Sequence, residues 1–182
     1  MDRKSFALGA LCVLIIAFTS WAAGQQPEDK SKRPSPPGTT ECTINGKKVT
    51  IEYSRPSLRG RPMSTLAPEG KVWRTGANEA TTLTTETDLN IGGAKVPAGK
   101  YTLYTLPSSN PWKLIINKQT GQWGTEYHED QDLARVDMKT TPIVVPVEQF
   151  TISLDQDDNS SCDLILEWEK TRLSVLVKAQ TQ

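Results

Sequence analysis

The residues best suited to chemistry lie in one long connecting segment, Tyr53 to Thr81. In a compact domain, connections longer than about 12–15 residues are usually functional or disordered. Disorder is disfavoured here because the segment carries the apolar anchors Met63 and Leu66. Its arginines have planar guanidinium groups, which bind carboxylate or phosphate through two parallel hydrogen bonds. The ligand-contacting residues predicted in this segment are Arg55, Arg59, Arg61, Trp73, Arg74, Asn78 and Glu79.

Part of this segment, V-W-R-T-G-A-N-E-A-T at Val72 to Thr81, admits two interpretations. In the structural one, Trp73 fills the core and Gly76 forms a turn with positive φ. Arg74 and Glu79 then pair beside that turn. In the functional one, Arg74 holds an anion, and Glu79 and Asn78 orient the arginine or bind a hydroxyl-bearing ligand. The sequence leaves both open.

A second candidate region is Q-W-G-T-E-Y-H-E-D, Gln122 to Asp130, which holds the only histidine of the chain, His128. A histidine among carboxylates can act as a general base or bind a metal. A zinc site normally brings several His or Cys ligands, so we predict no metal, and a solvated acidic loop is the alternative. In an enzyme, His128 would face Glu79 or Arg74. The ligand-contacting residues predicted in this loop are Trp123, Tyr127 and His128.

Other kinds of chemistry have little support in the sequence. There is no G-x-S-x-G motif, no glycine-rich phosphate loop and no dinucleotide fingerprint, so we predict no cofactor. The charge is balanced, with 21 basic and 21 acidic residues, which removes the electrostatic case for nucleic acid. Aromatic side chains can form a sugar-stacking surface, although aromatics on alternating strand positions also suit a core. The aromatic residues in question are Trp112, Trp123, Trp168, Tyr101, Tyr104 and Tyr127.

The elements that must position these residues have the pattern of β-strands. Apolar and polar residues alternate in short runs, and no window of a dozen residues keeps helical spacing. Asn45-Gly46 between two such runs predicts a tight hairpin, because both turn positions need positive φ. The runs Leu164–Trp168 and Leu173–Val177 predict a final hairpin. We predict an all-β fold, an antiparallel β-sandwich of jelly-roll or Ig-like type, as a single domain over residues 41–182.

The first 40 residues are predicted to lie outside this domain. Residues 1–24 have the plan of a secretory signal peptide, with a basic start, an apolar run from Phe6 to Phe18 and small residues up to Gly24. An uncleaved anchor is the alternative, but the run is shorter than the roughly 20 residues of a membrane span. Residues 25–40 are rich in Pro, Lys and Ser and predict a disordered tether. We expect an exported protein, periplasmic or extracellular, without a stable membrane span after cleavage.

Two cysteines follow the predicted cleavage site, Cys42 and Cys162. An even number of cysteines in an exported chain indicates a disulfide. Two unpaired thiols on separate strands are the alternative, because the sequence does not determine the distance between them. A bridge closing so long a loop contributes about 4–5 kcal/mol in the chain-entropy model.

Several stretches resemble one bacterial family. They include R-P-S-L-R-G-R-P-M, G-K-V-W-R-T-G-A-N-E-A-T, I-G-G-A-K-V-P-A-G-K-Y-T-L-Y-T-L-P and W-K-L-I-I-N-K, and they lie between Ile51 and Leu154. On these residues the chain resembles the DUF2911 family, and W-R-T-G-A-N-E-A-T is the most specific part of the resemblance. The resemblance implies an exported bacterial β-sandwich domain and no established activity. The chain departs from the family pattern at Ser64-Thr65 and at A-P-E-G, Ala67 to Gly70, so ligand specificity in that loop would differ.

These observations favour a non-catalytic binding module for a small polar or carbohydrate-like ligand. The ligand would lie where the Arg55–Thr81 segment meets the Trp123–His128 loop. A hydrolase or isomerase is the alternative, with Glu79 and His128 as acid–base partners and Arg74 stabilising an anion. A structural envelope protein is a third interpretation. The oligomeric state is left undetermined.

Overall fold

The computed structural model describes residues 29–109 and 111–180. The predicted signal peptide, residues 1–24, lies outside the described residues. In the described part, helical structure consists of one short α-helix, α1 at Met63–Leu66, and 3-10 turns at Lys30–Lys32 and Glu129–Gln131. The strands are β1 Pro37–Ile44, β2 Lys47–Ser54, β3 Thr82–Thr85, β4 Leu89–Ile91, β5 Ala94–Val96, β6 Gly99–Leu106, β7 Trp112–Asn117, β8 Asp132–Asp158 and β9 Ser161–Ala179.

The described strands form one continuous nine-stranded sheet, in the order β1-β2-β3-β6-β7-β8-β9-β4-β5. Each neighbouring pair is antiparallel. The prediction of an all-β, antiparallel single domain is confirmed, while the jelly-roll or Ig-like sandwich detail stays a prediction. The hairpin between β1 and β2 is confirmed as well, with φ of 50° at Asn45 and 76° at Gly46.

Two long strands join the two parts of this sheet. The first part of β8, Asp132–Met138, pairs with β7, and the rest of β8 pairs with β9. The predicted hairpin at the end of the chain is wrong, because β9 runs continuously from Ser161 to Ala179. Glu169 within it has φ of 52°, and the pairing register shifts beside it. A single residue in this conformation makes a bulge that bends a strand without reversing it.

The sheet curls so that β1, at one edge, contacts β9, which is the seventh strand in the sheet order. Cys42 of β1 and Cys162 of β9 form a disulfide with their Cα atoms 6.7 Å apart, which confirms the predicted bridge. Neighbouring strands lie about 4.7–4.9 Å apart, so a flat sheet would separate these cysteines several times further. Tyr53 of β2 crosses the same interior, where its hydroxyl donates to the Ile152 carbonyl at 3.1 Å and accepts from the Ile152 N–H at 2.9 Å.

An aromatic cluster fills the interior of the curled sheet. Trp73 stacks on Trp168 with ring centroids 5.2 Å apart, and it meets Phe150 edge-on at 5.0 Å. Most of the aromatics considered above as a sugar-stacking surface are buried, whereas Trp123 is 44% exposed. The buried ones are Tyr101, Tyr104, Trp112 and Trp168.

The domain begins earlier than the predicted boundary at residue 41. Pro37–Thr40 were assigned to the tether, yet they form the first half of β1 and pair with Ile51–Ser54. The Thr40 hydroxyl also accepts a hydrogen bond from the Leu154 N–H at 3.0 Å. Strand pairing satisfies the backbone of these residues although their side chains are mostly small or polar, so composition alone placed the boundary too late.

Candidate functional site

Two loops that the sequence predicts to share one site lie side by side. Glu79 and Trp123 form an isolated antiparallel bridge between them. The Gly124 N–H also donates to the Asn78 carbonyl at 2.9 Å. The V-W-R-T-G-A-N-E-A-T stretch is therefore held against the loop that contains His128.

The turn within this stretch has a constrained backbone. Thr75, Gly76 and Asn78 have positive φ, at 52°, 151° and 57°. A Cβ on Gly76 would lie 2.9 Å from Thr81 Oγ1 and 3.0 Å from the Ser54 carbonyl oxygen, so close packing as well as conformation requires the predicted glycine. The Thr81 hydroxyl donates to the Thr75 carbonyl at 2.7 Å and closes the turn. Strained residues of this kind cost on the order of 1–3 kcal/mol each and cluster at functional sites.

Beside the turn lies a cleft of about 300 Å³. The arginine-bearing segment, the loop at residues 122–128, β6 and β9 all contribute residues to its lining. Its principal lining residues are Trp73, Arg74, Tyr104, Thr125, Tyr127 and Trp168. Four of its eleven lining residues are aromatic, and the others include the apolar Pro56, Leu66 and Val72. Arg74 is the one cation among them.

Arg74 supplies that cation and is half-buried. Its aliphatic stem packs on Gly124, where an added Cβ would lie 3.0 Å from Arg74 Cδ. Its guanidinium forms no hydrogen bond or ion pair with any residue that the structure describes, so the predicted pair with Glu79 is not formed. Burial lowers the pKa of the Arg74 guanidinium, because the charged form loses hydration. Its N–H donors remain available to a ligand.

The other arginines of the segment have acceptors within the protein. Arg55 donates to the Phe150 carbonyl at 3.3 Å and to Thr151 Oγ1 at 2.9 Å. Arg59 donates to a backbone carbonyl at 3.2 Å, and Arg61 donates to two at 3.0 and 3.1 Å. Arg55 and Arg59 bind acceptors outside the segment, whereas Arg61 binds acceptors within it. None of the three lines the Arg74 cleft.

Glu79 and Asn78 point to a different part of the molecule. Arg33 Nη1 lies 3.0 Å from Glu79 Oε1 and 2.8 Å from Oε2, and Lys30 Nζ lies 2.9 Å from Oε1. The Lys30 hydrogen bond is the main cause that lowers the pKa of Glu79 to about 2, and Arg33 adds to it. Asn78 Nδ2 donates to the Ser35 carbonyl at 3.1 Å. Both side chains fasten the N-terminal segment to the turn, and Glu79 lines a separate groove of about 280 Å³.

His128 does not meet Glu79 or Arg74. The residue is exposed, and its imidazole makes no hydrogen bond or ion pair within residues 29–109 and 111–180. Its carbonyl accepts from Asn117 Nδ2 at 2.8 Å, which anchors the backbone of the loop. The structure therefore does not assemble the acid–base arrangement considered for an enzyme, because Lys30 and its neighbour Arg33 hold the Glu79 carboxylate elsewhere.

The tyrosines of the cleft have occupied hydroxyl groups. Tyr127 Oη donates to Asp132 Oδ2 at 2.7 Å and accepts from Arg135 Nη2 at 2.8 Å. Burial, followed by the bond to Asp132, raises the pKa of Tyr127 to about 12. Tyr104 Oη donates to the Glu126 carbonyl at 2.9 Å, and the two tyrosine rings meet at a centroid distance of 4.9 Å. These residues present rings to the cleft, while their hydroxyls are bound within the protein.

The cleft contains some of the predicted contact residues and several residues that were not predicted to contact a ligand. Trp73, Arg74 and Tyr127 were predicted to contact a ligand, and all three line it. Trp123 was predicted as well but is not among the lining residues. Thr125 lines the cleft without any signal in the sequence beyond its neighbours.

The described residues hold no group of three or more His, Cys, Asp or Glu side chains that is placed to bind a metal ion. No helix in the part of the chain that the structure describes has both the length and the apolar character needed to cross a membrane.

Comparison with known proteins gives one match. A family model described as a protein of unknown function, DUF2911, matches residues 35–177, which is more than half of the chain. The chain belongs to the DUF2911 family. No curated protein and no solved structure matches it.

The match to DUF2911 extends beyond residues 51–154 in both directions. It includes both bridged cysteines and every residue named above as lining the Arg74 cleft. Lys30 and Arg33, which hold Glu79, precede it. The cleft is therefore part of the DUF2911 domain, whereas the cations that bind Glu79 come from the segment before the matched range.

Proposed function

We propose that this DUF2911 protein is an exported, non-catalytic binding module for a small polar or carbohydrate-like ligand, which it binds in the cleft beside Arg74. One observation carries the proposal: the half-buried Arg74 guanidinium lines the cleft without a hydrogen bond or ion pair to any described residue. Ligand sites are typically concave, largely apolar and furnished with a few placed polar groups. Aromatic and aliphatic lining residues with one available cation have that composition.

The ionisable groups of the cleft favour recognition over acid–base chemistry. Among its described lining residues they are Arg74, Tyr104 and Tyr127. Burial raises the pKa of both tyrosines, and an efficient general acid or base titrates near the working pH. Glu79, the carboxylate of the alternative enzyme hypothesis, is paired with Lys30 in the other groove.

Export is supported by the sequence plan of residues 1–24 and by the Cys42–Cys162 disulfide. Disulfides form and persist mainly in oxidising compartments such as the periplasm or the cell exterior. Fractionation of a native host, with mass spectrometry of the recovered chain, tests this part of the proposal. We expect a mature chain that begins after Gly24 and carries the disulfide. Full-length protein with two free thiols in the cytoplasm would contradict export.

A thermal-shift screen of the full mature chain, residues 25–182, tests the binding function. The panel contains sugars, nucleotides, carboxylates and divalent metals, since a ligand that binds the native state raises the melting temperature by mass action. The matched variants are Arg74→Gln and Lys71→Gln. Lys71 is exposed on the same segment, and its side chain has no hydrogen bond or ion pair in the described residues, so this control removes the same charge outside the cleft.

A ligand whose shift disappears in Arg74→Gln and persists in Lys71→Gln supports the proposal. A ligand whose shift survives both substitutions binds elsewhere and counts against the cleft. Turnover of a bound ligand, followed by chromatography over hours, would contradict the non-catalytic role.

A further inference from the structure

The Arg74 N–H donors that have no acceptor among the described residues restrict the chemical class of the ligand more than the shape of the cleft does. A guanidinium carries five N–H donors and no acceptor, so only an acceptor can satisfy it. Arg55 of the same segment finds such acceptors in the protein, and Arg61 does too. Arg74 finds none among the described residues although it is half-buried. An acceptor for its donors therefore lies beyond the described residues, and a ligand in the cleft is placed to supply one.

The charge of the cleft indicates a monoanion. Its described lining residues include no second cation and no carboxylate. Glu79 pairs with Arg33 and Asp132 pairs with Arg135. The exposed Glu126, between the lining residues Thr125 and Tyr127, forms no ion pair within the described residues. One guanidinium neutralises one negative charge, and its planar fork matches the two oxygens of a carboxylate. A doubly charged phosphate would retain excess charge between aromatic walls, where desolvation is costly.

The apolar lining of the cleft indicates that the ligand contains a ring. The buried pair Trp73 and Trp168 and the pair Tyr104 and Tyr127 contribute to the lining beside the guanidinium, together with the apolar Pro56, Leu66 and Val72. Because the tyrosine hydroxyls are already bound, these walls offer apolar contact in place of hydrogen bonds. A volume of about 300 Å³ lies at the small end of ligand pockets, which run from about 300 to 1,000 Å³. One ring with its substituents suits such a space.

The position of Arg74 is set before any ligand arrives. Its stem rests on Gly124, which is tied to the Asn78 carbonyl at 2.9 Å. Asn78 and Thr75 hold positive φ, and Thr81 closes the turn between them. A preorganised donor loses little conformational entropy on binding, which favours specific recognition by a single charged contact.

We infer that the ligand of this cleft is a small ring-borne monocarboxylate, whose carboxylate binds the Arg74 guanidinium while its ring packs against the aromatic wall. The inference rests on the proposed binding function and deepens it. Two sources share this chemistry, a sugar acid and an aromatic acid.

Isothermal titration calorimetry of the full mature chain separates these sources with matched probes. D-glucuronate is compared with D-glucose, which has the same ring and no carboxylate. Benzoate is compared with benzyl alcohol for the same reason. Titration with inorganic phosphate tests whether the cleft prefers a doubly charged anion. The variants are Arg74→Gln, Arg74→Lys and the control Lys71→Gln.

We expect glucuronate or benzoate to bind more tightly than its neutral counterpart. Arg74→Gln should weaken that binding roughly 10- to 100-fold, because losing a hydrogen bond to a charged group reduces affinity by about that factor. Arg74→Lys should restore only part of it, since lysine keeps the charge and loses the fork. Lys71→Gln should bind like the unchanged protein.

Several results would overturn the inference. If glucose or benzyl alcohol binds as tightly as the corresponding acid, the proposed binding function stands but the inference that the ligand is a carboxylate is wrong. If phosphate binds more tightly than both acids, the ligand is a dianion and the inference of a monocarboxylate is wrong. If neither acid binds, the inference fails, and the wider thermal-shift screen alone decides the proposed function.

Discussion

Arg33 and Glu79 lie 46 positions apart and form an ion pair in which Nη1 is 3.0 Å from Oε1 and 2.8 Å from Oε2. Lys30 adds a contact of 2.9 Å to the same carboxylate. The loop that carries Arg74 is thus held at one end by residues that precede the first strand. The segment before β1 therefore stabilises the position of the loop that carries Arg74 and Glu79.

Acid should weaken the ion pairs of Glu79 with Lys30 and Arg33. The pKa of Glu79 is lowered from 4.5 to about 2, so its contribution to the unfolding free energy is present above pH 4.5 and is lost as the pH falls through 2. Glu79→Gln should lower the unfolding free energy at pH 7 by about 1 kcal/mol. That is less than the pKa shift alone implies, because the carboxylate is 41% exposed and solvent screens the pair.

Urea unfolding at pH 7, 4.5 and 2.5 measures this effect. The control is Glu52→Gln, an exposed carboxylate that lines the same groove. The difference between Glu79→Gln and the unchanged protein should shrink toward the lowest pH. A difference that is constant across the three pH values would show that the charge of Glu79 has no part in stability.

Loss of the disulfide should cost more than loss of any surface pair. The Cys42–Cys162 bridge closes a loop with a sequence separation of 120, for which the chain-entropy model predicts about 4–5 kcal/mol. Cys42→Ala, Cys162→Ala and the double variant should lose similar amounts, since each removes the same bond. Chemical denaturation without reductant provides the values. Two alkylated thiols in the unreduced, denatured chain would refute the bridge.

Arg74 should reduce stability in the absence of ligand. A half-buried cation without a partner among the described residues loses hydration and gains no compensating contact. Arg74→Met should therefore raise the unfolding free energy by about 0.5–1 kcal/mol, as replacements at functional sites often do. Lys71→Met, the exposed control, should stay within about 0.5 kcal/mol. A clear loss of stability in Arg74→Met would assign the arginine a structural role.

Gly124 should control the position of Arg74 without changing charge. A Cβ at this position would lie 3.0 Å from Arg74 Cδ and 3.0 Å from the Asn78 carbonyl oxygen, so Gly124→Ala must displace one of them. We expect binding of any Arg74-dependent ligand to weaken about tenfold or more, as for a misplaced charged hydrogen bond. Calorimetry with the ligand found for the unchanged protein measures this.

Gly121→Ala is the matched control for Gly124. It lies in the same loop, has φ of 82° and has no atom within 4 Å of an added Cβ. It should lower the melting temperature through backbone strain and leave affinity unchanged. Equal loss of affinity in both variants would mean that general loosening of the loop, and not the placement of Arg74, explains the effect.

Local patterns predicted much of the fold. Alternating apolar residues indicated antiparallel strands, and Asn45-Gly46 and Gly76 indicated positive φ, because strand periodicity and turn conformation depend on neighbours in the chain. The same reasoning failed at Glu169, where a turn-like cluster became a bulge inside β9. A residue with positive φ serves a turn or a bulge equally well, and only the pairing of β8 with β9 selected between them.

The sequence by itself determined which side chains are available for chemistry: four arginines in one segment, a glycine turn and two bridgeable cysteines. The tertiary structure alone decided which of them are engaged. Arg55 lies against β8, Glu79 lies against Arg33, and Arg74 lies over Gly124 beside an aromatic cleft. Partners far apart in the chain become neighbours only when the sheet curls, and no local pattern encodes which carboxylate or carbonyl will then lie within hydrogen-bond distance of a given arginine.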